Sequence, residues 1–357
     1  MMRRKIYPVL LVFCLSVLLF TTGCLQDFLP QLFGERKPDE TRITGEREQN
    51  GQRETNGQQE IVEGKEIPAG VRRYQVYFMK EKNRYLLPVT VLQPWTEGIA
   101  RSALEKLIKG PAPAAAMRFG ISSPLPPQTA IRGINIRDGL CRVDFSRDFL
   151  DYDPGMEREV LGSVIHTLLQ FNTVDEVEIV VEGSPVEIFP GGTPGKGTFD
   201  RHFSLNPEAA EGVDDLAAAQ QLRLYFCTLL GEDRIFYVPL TRVVPDGEEL
   251  LQATVRELLM GPQAGSGLFS EIPPGTEIKN LSLQGGIAMV DFSRELLNYQ
   301  GGKSGEMNIK NQLLLTLSAL PGVERVQVLV EGQALTLPYG TSFIAPLPPP
   351  VLINQLD

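Results

Sequence analysis

The five residues Val-Asp-Phe-Ser-Arg at positions 143–147 occur again, unchanged, at 290–294, and this repeat decides the fold. Three further motifs recur with it: Gly-Pro at 110–111 and 261–262, Pro-Pro-x-Thr-x-Ile at 126–131 and 273–278, and a Val-rich run ending in Glu-Gly at 174–183 and 323–332. The offset stays between 147 and 151 residues, far longer than the roughly 20–50 residues of a solenoid repeat. The chain therefore contains two tandem copies of one domain.

Both copies predict the same order of elements. Apolar patterning predicts strands at 74–79, 85–92, 131–136 and 140–145, matched by 222–228, 235–243, 278–283 and 287–292. Helical spacing predicts one helix that ends at the Gly-Pro pair and a second before the Val-rich strand. A short return strand is expected at 186–189 and 335–337. The predicted fold class is α+β, with two tandem ββαββαββ domains, each having two helices packed on a mostly antiparallel sheet.

The first residues have the features of a secretion signal. Three basic residues at 3–5 precede an apolar run at 9–20, which is short for a transmembrane helix, and the run ends before Cys24. The cysteine after small residues resembles the lipobox of bacterial lipoproteins, in which the thiol is diacylated and becomes the mature N-terminus. This resemblance implies removal of residues 1–23 and lipidation of Cys24. An uncleaved membrane anchor is the alternative.

Composition divides the rest of the chain. Residues 24–70 are mostly charged, amide and small side chains and are expected to form a disordered stalk behind the lipidated cysteine. The first domain is placed at 71–206, a linker at 207–220 and the second domain at 221–345. Residues 346–357 are interpreted as a Pro-rich tail in polyproline II conformation that acts as a spacer.

The charge balance excludes one class of partner. The chain has 34 Lys and Arg against 44 Asp and Glu, a net charge of −10, and a sequence pI near 5.0. Nucleic acid binding requires a concentrated basic surface, so it is not expected. The charge is uneven, because residues 71–206 carry 16 basic and 16 acidic side chains whereas 207–357 carry 9 and 18.

The best catalytic candidates are the repeated aspartates. Asp144 and Asp291 each lie where the chain leaves a predicted strand, and a catalytic carboxylate would need a second acid, a histidine or a nucleophile nearby. The structural interpretation is that these aspartates, with Ser146 and Ser293, accept backbone N–H bonds in turns or caps. We favour the structural interpretation. The Glu-Gly pairs at 182–183 and 331–332 are expected to be turns after the last strand.

The remaining chemically capable residues form no recognisable site. His166 is matched by Leu315 in the second copy and is expected to be a packing residue; the other histidine, His202, lies in a Gly- and Pro-rich piece. No zinc motif, phosphate loop, dinucleotide fingerprint or Gly-x-Ser-x-Gly sequence occurs. Cys141 and Cys227 are expected to be buried free thiols, and Trp95 is as readily a core residue as a binding anchor. No cofactor or metal is expected.

The repeated motifs resemble the GerM domain family of sporulation and spore germination proteins. The resemblance covers about 71–190 and 221–340. The first copy departs from the pattern by an extra Gly- and Pro-rich piece at 190–206 and a bulkier loop at 111–127. The family implies a non-catalytic envelope module, similar to the ring-building modules of secretion-type machines, that binds other proteins.

Two functions follow as hypotheses. The preferred one is a non-enzymatic scaffold, lipid-anchored on the extracytoplasmic face of the cell membrane, that binds envelope or sporulation-machine proteins; self-association and peptidoglycan contact are compatible with it. The alternative is a cell-wall-directed hydrolase or a ligand-binding lipoprotein that uses Asp144 or Asp291 as acid or base.

Overall fold

A computed structural model describes residues 60–62, 65–67, 70–94, 96–209, 219–232 and 234–356. These residues belong to one compact unit, 51–357. The predicted signal, the lipidation site Cys24 and the indole of Trp95 lie outside the described residues.

The two copies fold as two modules with corresponding elements. The first module comprises β3 Val71–Lys80, β4 Tyr85–Pro94, α1 Ile99–Lys109, α2 Pro113–Phe119, β5 Ile121–Ser122, β6 Ile131–Arg137, β7 Leu140–Phe145, α3 Glu157–Leu169, β8 Glu176–Val181 and β9 Ser184–Pro185. The second comprises β11 Ala219–Leu230, β12 Arg234–Pro245, α4 Leu250–Met260, β13 Ile278–Gln284, β14 Ile287–Phe292, α5 Gly302–Leu317 and β15 Arg325–Val330. Two short strands, β1 Glu60–Val62 and β2 Lys65–Ile67, precede them, and β10 Pro207–Ala209 lies between them. The α+β class is confirmed.

Each module combines a long hairpin with a second sheet. Strand β3 pairs antiparallel with β4, and β11 with β12. In the second sheet, β6 and β7 are antiparallel, whereas β7 and β8 are parallel, as are β14 and β15. The parallel pair follows from the helix between these strands, which carries the chain back to the starting edge of the sheet. The sheets are therefore mostly antiparallel, as expected, with one parallel pair in the second sheet of each module.

The predicted hairpins form with the turns that their sequences favour. Asp138 and Gly139 both have positive φ, 51° and 83°, as do Gly285 and Gly286, at 55° and 77°. This backbone geometry matches the right-handed twist of the flanking strands and is accessible to Gly, and to Asp at low cost.

Helix α1 buries one apolar face. In α1, the buried residues are Ala100, Ala103, Leu104 and Leu107, at the three- and four-residue spacing of one helix face. The helix ends at Gly110, whose φ of 74° is left-handed, and the following proline prevents a further turn. The helix between hairpin and final strand is buried more completely in both modules.

Three predicted details were wrong. The loop at 111–127 contains helix α2 and strand β5. The return strand at 186–189 does not form, because β9 occupies only residues 184–185, and the second module has only isolated bridges in that region. The end of the predicted stalk is not wholly irregular, since β1 and β2 pair as an antiparallel hairpin. Ile61, Val62 and Ile67 favour extended backbone there.

The largest correction concerns the ends of the modules. Residues 190–206, predicted to be an extra piece of the first copy, and 338–354, assigned to the end of the second domain and a spacer tail, have equivalent structures. Phe189 N donates to Thr193 O at 2.9 Å as Leu337 N donates to Thr341 O at 2.7 Å. An isolated bridge joins Val177 to Phe199 in one module and Val326 to Leu347 in the other. We call 190–206 the first arm and 338–354 the second arm.

The residues after the first arm are also ordered by pairing. Strand β10, placed by sequence in the linker, runs parallel to β12, with Pro207 opposite Thr241. The end of the second arm is packed rather than spaced away from the fold, because Leu352 and Ile353 are buried. Hydrogen-bond partners far away in the chain stabilise both segments, and local composition does not reveal such partners.

Candidate functional site

The repeated aspartates link two parallel strands at one end of the second sheet. Asp144, in β7, accepts a hydrogen bond from Gly183 N through Oδ1 at 2.9 Å, and Asp291, in β14, accepts one from Gly332 N at 2.9 Å. Each bond ties the end of one strand to the turn that follows its parallel neighbour. The glutamates of these turns add a second bond, since Arg147 N donates to Glu182 and Arg294 N donates to Glu331.

The repeated serines bond to the residue that precedes the first strand of the same hairpin. Ser146 Oγ accepts from Ala130 N at 3.0 Å, and Ser293 Oγ accepts from Glu277 N at 3.0 Å. Each serine N–H in turn donates to the carbonyl of the same residue, Ala130 or Glu277. Asp144 is also 3.6 Å from Arg132 Nε. Carboxylate and hydroxyl are thus engaged by backbone groups at equivalent places in both modules.

The two histidines are not brought together. His166 is buried, with Nε2 2.9 Å from Phe203 O and its ring 5.6 Å from that of Tyr77. Burial disfavours the imidazolium and lowers the pKa of His166 to about 3, and the nearby charge of Arg223 acts in the same direction. His202 is exposed on the first arm.

Replacing His166 by leucine, the residue at the equivalent position 315, is expected to reduce the acid sensitivity of the fold. Between its ordinary pKa of 6.5 and about 3, the unfolded chain binds a proton that the folded chain does not. The wild type should therefore lose about 2 kcal/mol of stability at this site between pH 7 and pH 5. Urea denaturation of both proteins at the two pH values measures it, with His202→Leu as surface control. An unchanged pH dependence in His166→Leu contradicts the assignment.

Cys141 and Cys227 are buried free thiols. Burial raises the pKa of Cys141 to about 11 and raises that of Cys227 further. A thiol with a raised pKa is a poor nucleophile at neutral pH, so neither side chain is suited to chemistry. Within the described ranges, no group of three or more His, Cys, Asp or Glu residues could hold a metal ion.

The most elaborate polar arrangement lies where the two modules meet, which we call the joint. Asn206, at the end of the first arm, accepts from Leu86 N at 2.8 Å and donates to Leu86 O and to Pro239 O, both at 2.7 Å. Leu86 belongs to the same module as Asn206, and Pro239 belongs to the second module. Of these three bonds, the two to Leu86 hold Asn206 on the first module, and the one to Pro239 O crosses the joint.

Asn354, at the end of the second arm, makes the mirrored set of bonds. It accepts from Tyr237 N at 2.8 Å and donates to Tyr237 O and Pro88 O, both at 2.8 Å. Asn206 and Asn354 share a left-handed backbone, with φ of 50° and 53°, a conformation that asparagine tolerates better than most residues. The two modules are therefore related by an approximate twofold arrangement at the joint.

The residue before each asparagine pairs with a threonine of the other module. Leu205 N donates to Thr241 Oγ1 at 3.0 Å, and Thr241 N donates back to Leu205 O at 2.8 Å. Ile353 N donates to Thr90 Oγ1 at 3.0 Å, and Thr90 N donates to Ile353 O at 3.2 Å. The arm of each module therefore pairs with the second strand of the other module: the first arm with β12 and the second arm with β4.

Apolar and polar contacts extend the joint beyond the arms. The rings of Phe119 and Phe236 lie 5.6 Å apart, and the guanidinium of Arg234 lies 5.6 Å above the Phe119 ring. Asn83 Nδ2 donates to Ser266 O at 3.0 Å, from the β3–β4 turn to the opposite module. The joint therefore has a packed interior as well as hydrogen bonds.

A buried carboxylate holds the start of each arm. Glu306 accepts backbone N–H bonds from Tyr339 at 2.7 Å and Thr341 at 3.0 Å, and also the hydroxyl of Tyr299. In the first module, Glu157 accepts from Gly191 N, from Thr193 N at 2.8 Å and from the hydroxyl of Tyr152. These glutamates sit near the start of α5 and at the start of α3.

Sequence reasoning missed the arms and their anchors. The signal was present, because Leu-Asn at 205–206 and Ile-Asn at 353–354 lie 148 residues apart, within the range of offsets that relates the modules. Glu157 and Glu306 lie 149 residues apart and also satisfy it. Their neighbours differ in sequence, so the matches do not stand out without the structure.

Across the part of the chain that the structure describes, no helix has the length and apolar character needed to cross a membrane.

Comparison with known proteins assigns the fold to a family. The family model described as "Germane: Sporulation and spore germination" matches residues 75–187 and 223–336, one match in each module. The chain is 29% identical over 283 residues to the spore germination protein GerM of Bacillus subtilis (strain 168), an alignment that spans 78% of this chain and 77% of that protein.

A solved structure agrees with the arrangement of both modules. The tandem GerMN domains of the sporulation protein GerM from Bacillus subtilis superpose with a TM-score of 0.70 at 28% identity, covering 79% of this chain and 99% of that one. The resemblance inferred from the repeated motifs is confirmed. This chain belongs to the Germane family of sporulation and spore germination proteins, and it carries the family's domain twice.

Proposed function

We propose that this protein is a non-catalytic scaffold, lipid-anchored on the extracytoplasmic face of the membrane, that binds envelope proteins during sporulation or spore germination. The observation that carries the proposal is the reciprocal joint, in which each arm ends on the second strand of the other module. Two modules joined in this way present two surfaces at one set spacing, which suits an assembly protein.

The polar residues shared by both modules favour a binding role over a catalytic one. In Asp144 and Asp291 a carboxylate oxygen accepts a hydrogen bond from a backbone N–H, and the hydroxyl oxygens of the serines two residues later do the same. A backbone hydrogen bond formed at the same place in both modules is typical of a residue that stabilises the fold. The common residues therefore support a common fold, and function is left to surfaces that differ between the modules.

Two ion pairs of the first module have uncharged counterparts in the second module. In the first module, Arg142 pairs with Glu178 at 3.5 Å and Lys196 pairs with Glu187 at 2.7 Å. The equivalent residues of the second module are all uncharged: Met289, Gln327, Ile344 and Leu335. Replacing two ion pairs by uncharged pairs changes which partner surface fits, so we propose that the modules bind different partners.

The proposed lipid anchor at Cys24 is inferred from the amino-acid sequence alone. Diacylation of Cys24 would hold the chain on the membrane, since two acyl chains give stable attachment where one does not. We expect Cys24→Ser to release the protein from the membrane fraction of a spore-forming host. Retention of Cys24→Ser in that fraction would favour the uncleaved anchor instead.

The scaffold function is tested by deletion and crosslinking in a spore-forming host. Loss of the chain is expected to impair spore formation or germination, and in-cell crosslinking of the tagged protein followed by mass spectrometry is expected to recover envelope proteins. Normal sporulation and germination of the deletion strain, together with the absence of envelope proteins among the crosslinks, contradict the proposal.

Asparagine substitutions test the catalytic alternative. In Asp144→Asn and Asp291→Asn the amide oxygen can still accept the backbone N–H bond, so both variants should fold and complement the deletion. A cell-wall hydrolase that used these carboxylates would lose turnover of wall fragments in the same folded variants. Such a loss would replace the scaffold by an enzyme.

A further inference from the structure

The hydrogen bonds that close the joint use the same residue types in both directions. Each arm ends in an asparagine that donates to a proline carbonyl of the opposite module, and the residue before it exchanges hydrogen bonds with a threonine of that module. The proline is Pro239 for the first arm and Pro88 for the second, and the threonine is Thr241 or Thr90. The second strand of each module thus offers the same partners, so either arm fits either strand.

The joint also has the symmetry of a surface that fits a copy of itself. Lys80, at the end of β3, and Thr228, in β11, occupy equivalent positions 148 residues apart. Lys80 Nζ donates to Thr228 Oγ1 at 2.6 Å. A residue that contacts its own counterpart lies next to a twofold axis, and a surface repeated about a twofold axis is self-complementary. Such a surface can form between two chains as it does within one.

One end of the joint differs between the two modules. Asn83, in the β3–β4 turn, donates to Ser266 O at 3.0 Å. At the equivalent place across the twofold axis, the guanidinium of Arg234, at the start of β12, lies 5.6 Å from the centre of the Phe119 ring. Phe119 corresponds to Ser266, since each is followed by a glycine with positive φ. An amide–carbonyl contact on one side thus corresponds to a cation–aromatic contact on the other.

These two contacts match a first module to a second module. Pairing two first modules would place Asn83 opposite Phe119, and pairing two second modules would place Arg234 opposite Ser266. Both like pairings lose the cation–aromatic contact, and the first also places a polar amide against an aromatic ring. The joint therefore selects unlike modules, whichever chain they belong to.

We propose that two copies of this chain exchange modules, so that the first module of one copy forms the joint with the second module of the other. The exchanged and unexchanged forms contain the same contacts, and the cost of exchange is therefore that of bringing two chains together. Linked modules face each other at an effective concentration on the order of millimolar, so exchange needs crowded chains. Attachment to one membrane surface, as proposed above, supplies such crowding. The proposal goes beyond the scaffold function, because the partner is a second copy and the contact is the joint itself.

The test mixes two full-length chains that carry one new cysteine each, Asn83→Cys and Ser266→Cys, and that differ in their tags. Both also carry Cys14→Ser and Cys24→Ser, so the native cysteines that remain are buried. The chains are unfolded, refolded together in detergent at high concentration and at a tenfold dilution, and treated with a short bismaleimide. We expect a crosslinked product that contains both tags and that decreases on dilution.

Three control chains make this readout specific to the joint. Arg137→Cys, on an exposed hairpin tip, replaces Asn83→Cys and should give at least tenfold less interchain product. A chain that carries both joint cysteines should crosslink internally, because the reagent spans the contact. Met117→Cys, at an exposed side chain two residues before Phe119, should give at least tenfold less product with Asn83→Cys, since that mixture reports the pairing of two first modules.

A joint variant tests whether exchange requires opening of the joint. Thr90→Val removes the hydroxyl that accepts from Ile353 N, so folded chains mixed without unfolding should exchange at least fivefold faster. The final amount of interchain product should stay the same, because the exchanged and unexchanged forms lose the same bond. Thr129→Val, the same change at a buried threonine before β6, is the matched control.

Several outcomes overturn the exchange. Interchain product no greater than that of the Arg137→Cys mixture shows that the joint forms only within one chain, and a double-cysteine chain that does not crosslink internally contradicts the joint itself. Equal product from the Asn83→Cys and Met117→Cys mixture shows that first modules pair with each other. An unchanged exchange rate in Thr90→Val shows that the chains associate elsewhere. The scaffold function is tested separately by crosslinks to envelope proteins, which none of these results affects.

Discussion

Replacing Asn354 by alanine is expected to lower the free energy of unfolding by about 4 kcal/mol. The change leaves Tyr237 N, Tyr237 O and Pro88 O without the partner they have in the joint, and an unsatisfied buried backbone group costs about 1–3 kcal/mol. Alanine also disfavours the left-handed backbone at this position, by roughly 1–2 kcal/mol. Chemical denaturation followed by circular dichroism measures the loss.

The same substitution should uncouple the modules. Because the arm that ends at Asn354 pairs with Thr90 of the other module, weakening it lets each module unfold at its own denaturant concentration. We expect one transition in the wild type and two in Asn354→Ala. Asn135→Ala, on an exposed strand position, is the matched control and should unfold like the wild type. A single transition of wild-type stability in Asn354→Ala contradicts the role given to the joint.

Replacing Glu306 by alanine is expected to cost about 3 kcal/mol or more. Glu306 is fully buried, and its removal strands the backbone N–H groups of Tyr339 and Thr341 and the hydroxyl of Tyr299. Because these donors hold the start of the second arm, we expect faster proteolysis of residues 338–354 as well as lower stability. Limited proteolysis with mass spectrometry locates the cut, and denaturation measures the stability.

A glutamine at position 306 separates charge from packing. Burial alone would raise the pKa of Glu306, but the hydrogen bonds from Tyr299, Tyr339 and Thr341 outweigh it and hold this pKa below the ordinary 4.5. The ionised carboxylate therefore contributes stability above pH 4.5, and this contribution is lost as the pH falls through the lower folded value. Glu306→Gln should flatten that acid dependence. Glu277→Gln, at an exposed position, should leave it unchanged, and equal acid profiles for wild type and Glu306→Gln would contradict the bonds described.

Local patterns predicted the elements of each module well. The hairpin turns at 138–139 and 285–286 were recognisable because two adjacent residues that tolerate positive φ occur between alternating apolar runs. Helix ends at Gly110 and Gly261 were recognisable for the same kind of reason, since a glycine followed by a proline stops a helix. Such signals involve neighbours in the chain, and they were repeated in both copies.

The arms escaped prediction because their partners are distant. Asn206 bonds to residues 33 and 120 positions away, and Asn354 to residues 117 and 266 positions away. Gly- and Pro-rich composition at 190–206 favours irregular local structure. It carries no information on a distant hydrogen-bond partner, so equivalent segments were assigned as an extra piece and as a domain end with a tail.

The amino-acid sequence by itself determined that this chain contains two copies of one α+β domain. Turn-forming residues and apolar periodicity act over a few residues, and both recur in the two copies. Only the tertiary structure decided how the copies combine. Asn206 and Asn354 become joint residues through backbone groups of the opposite module. Their role depends on which distant backbone groups come together when the chain folds, and tertiary packing determines this.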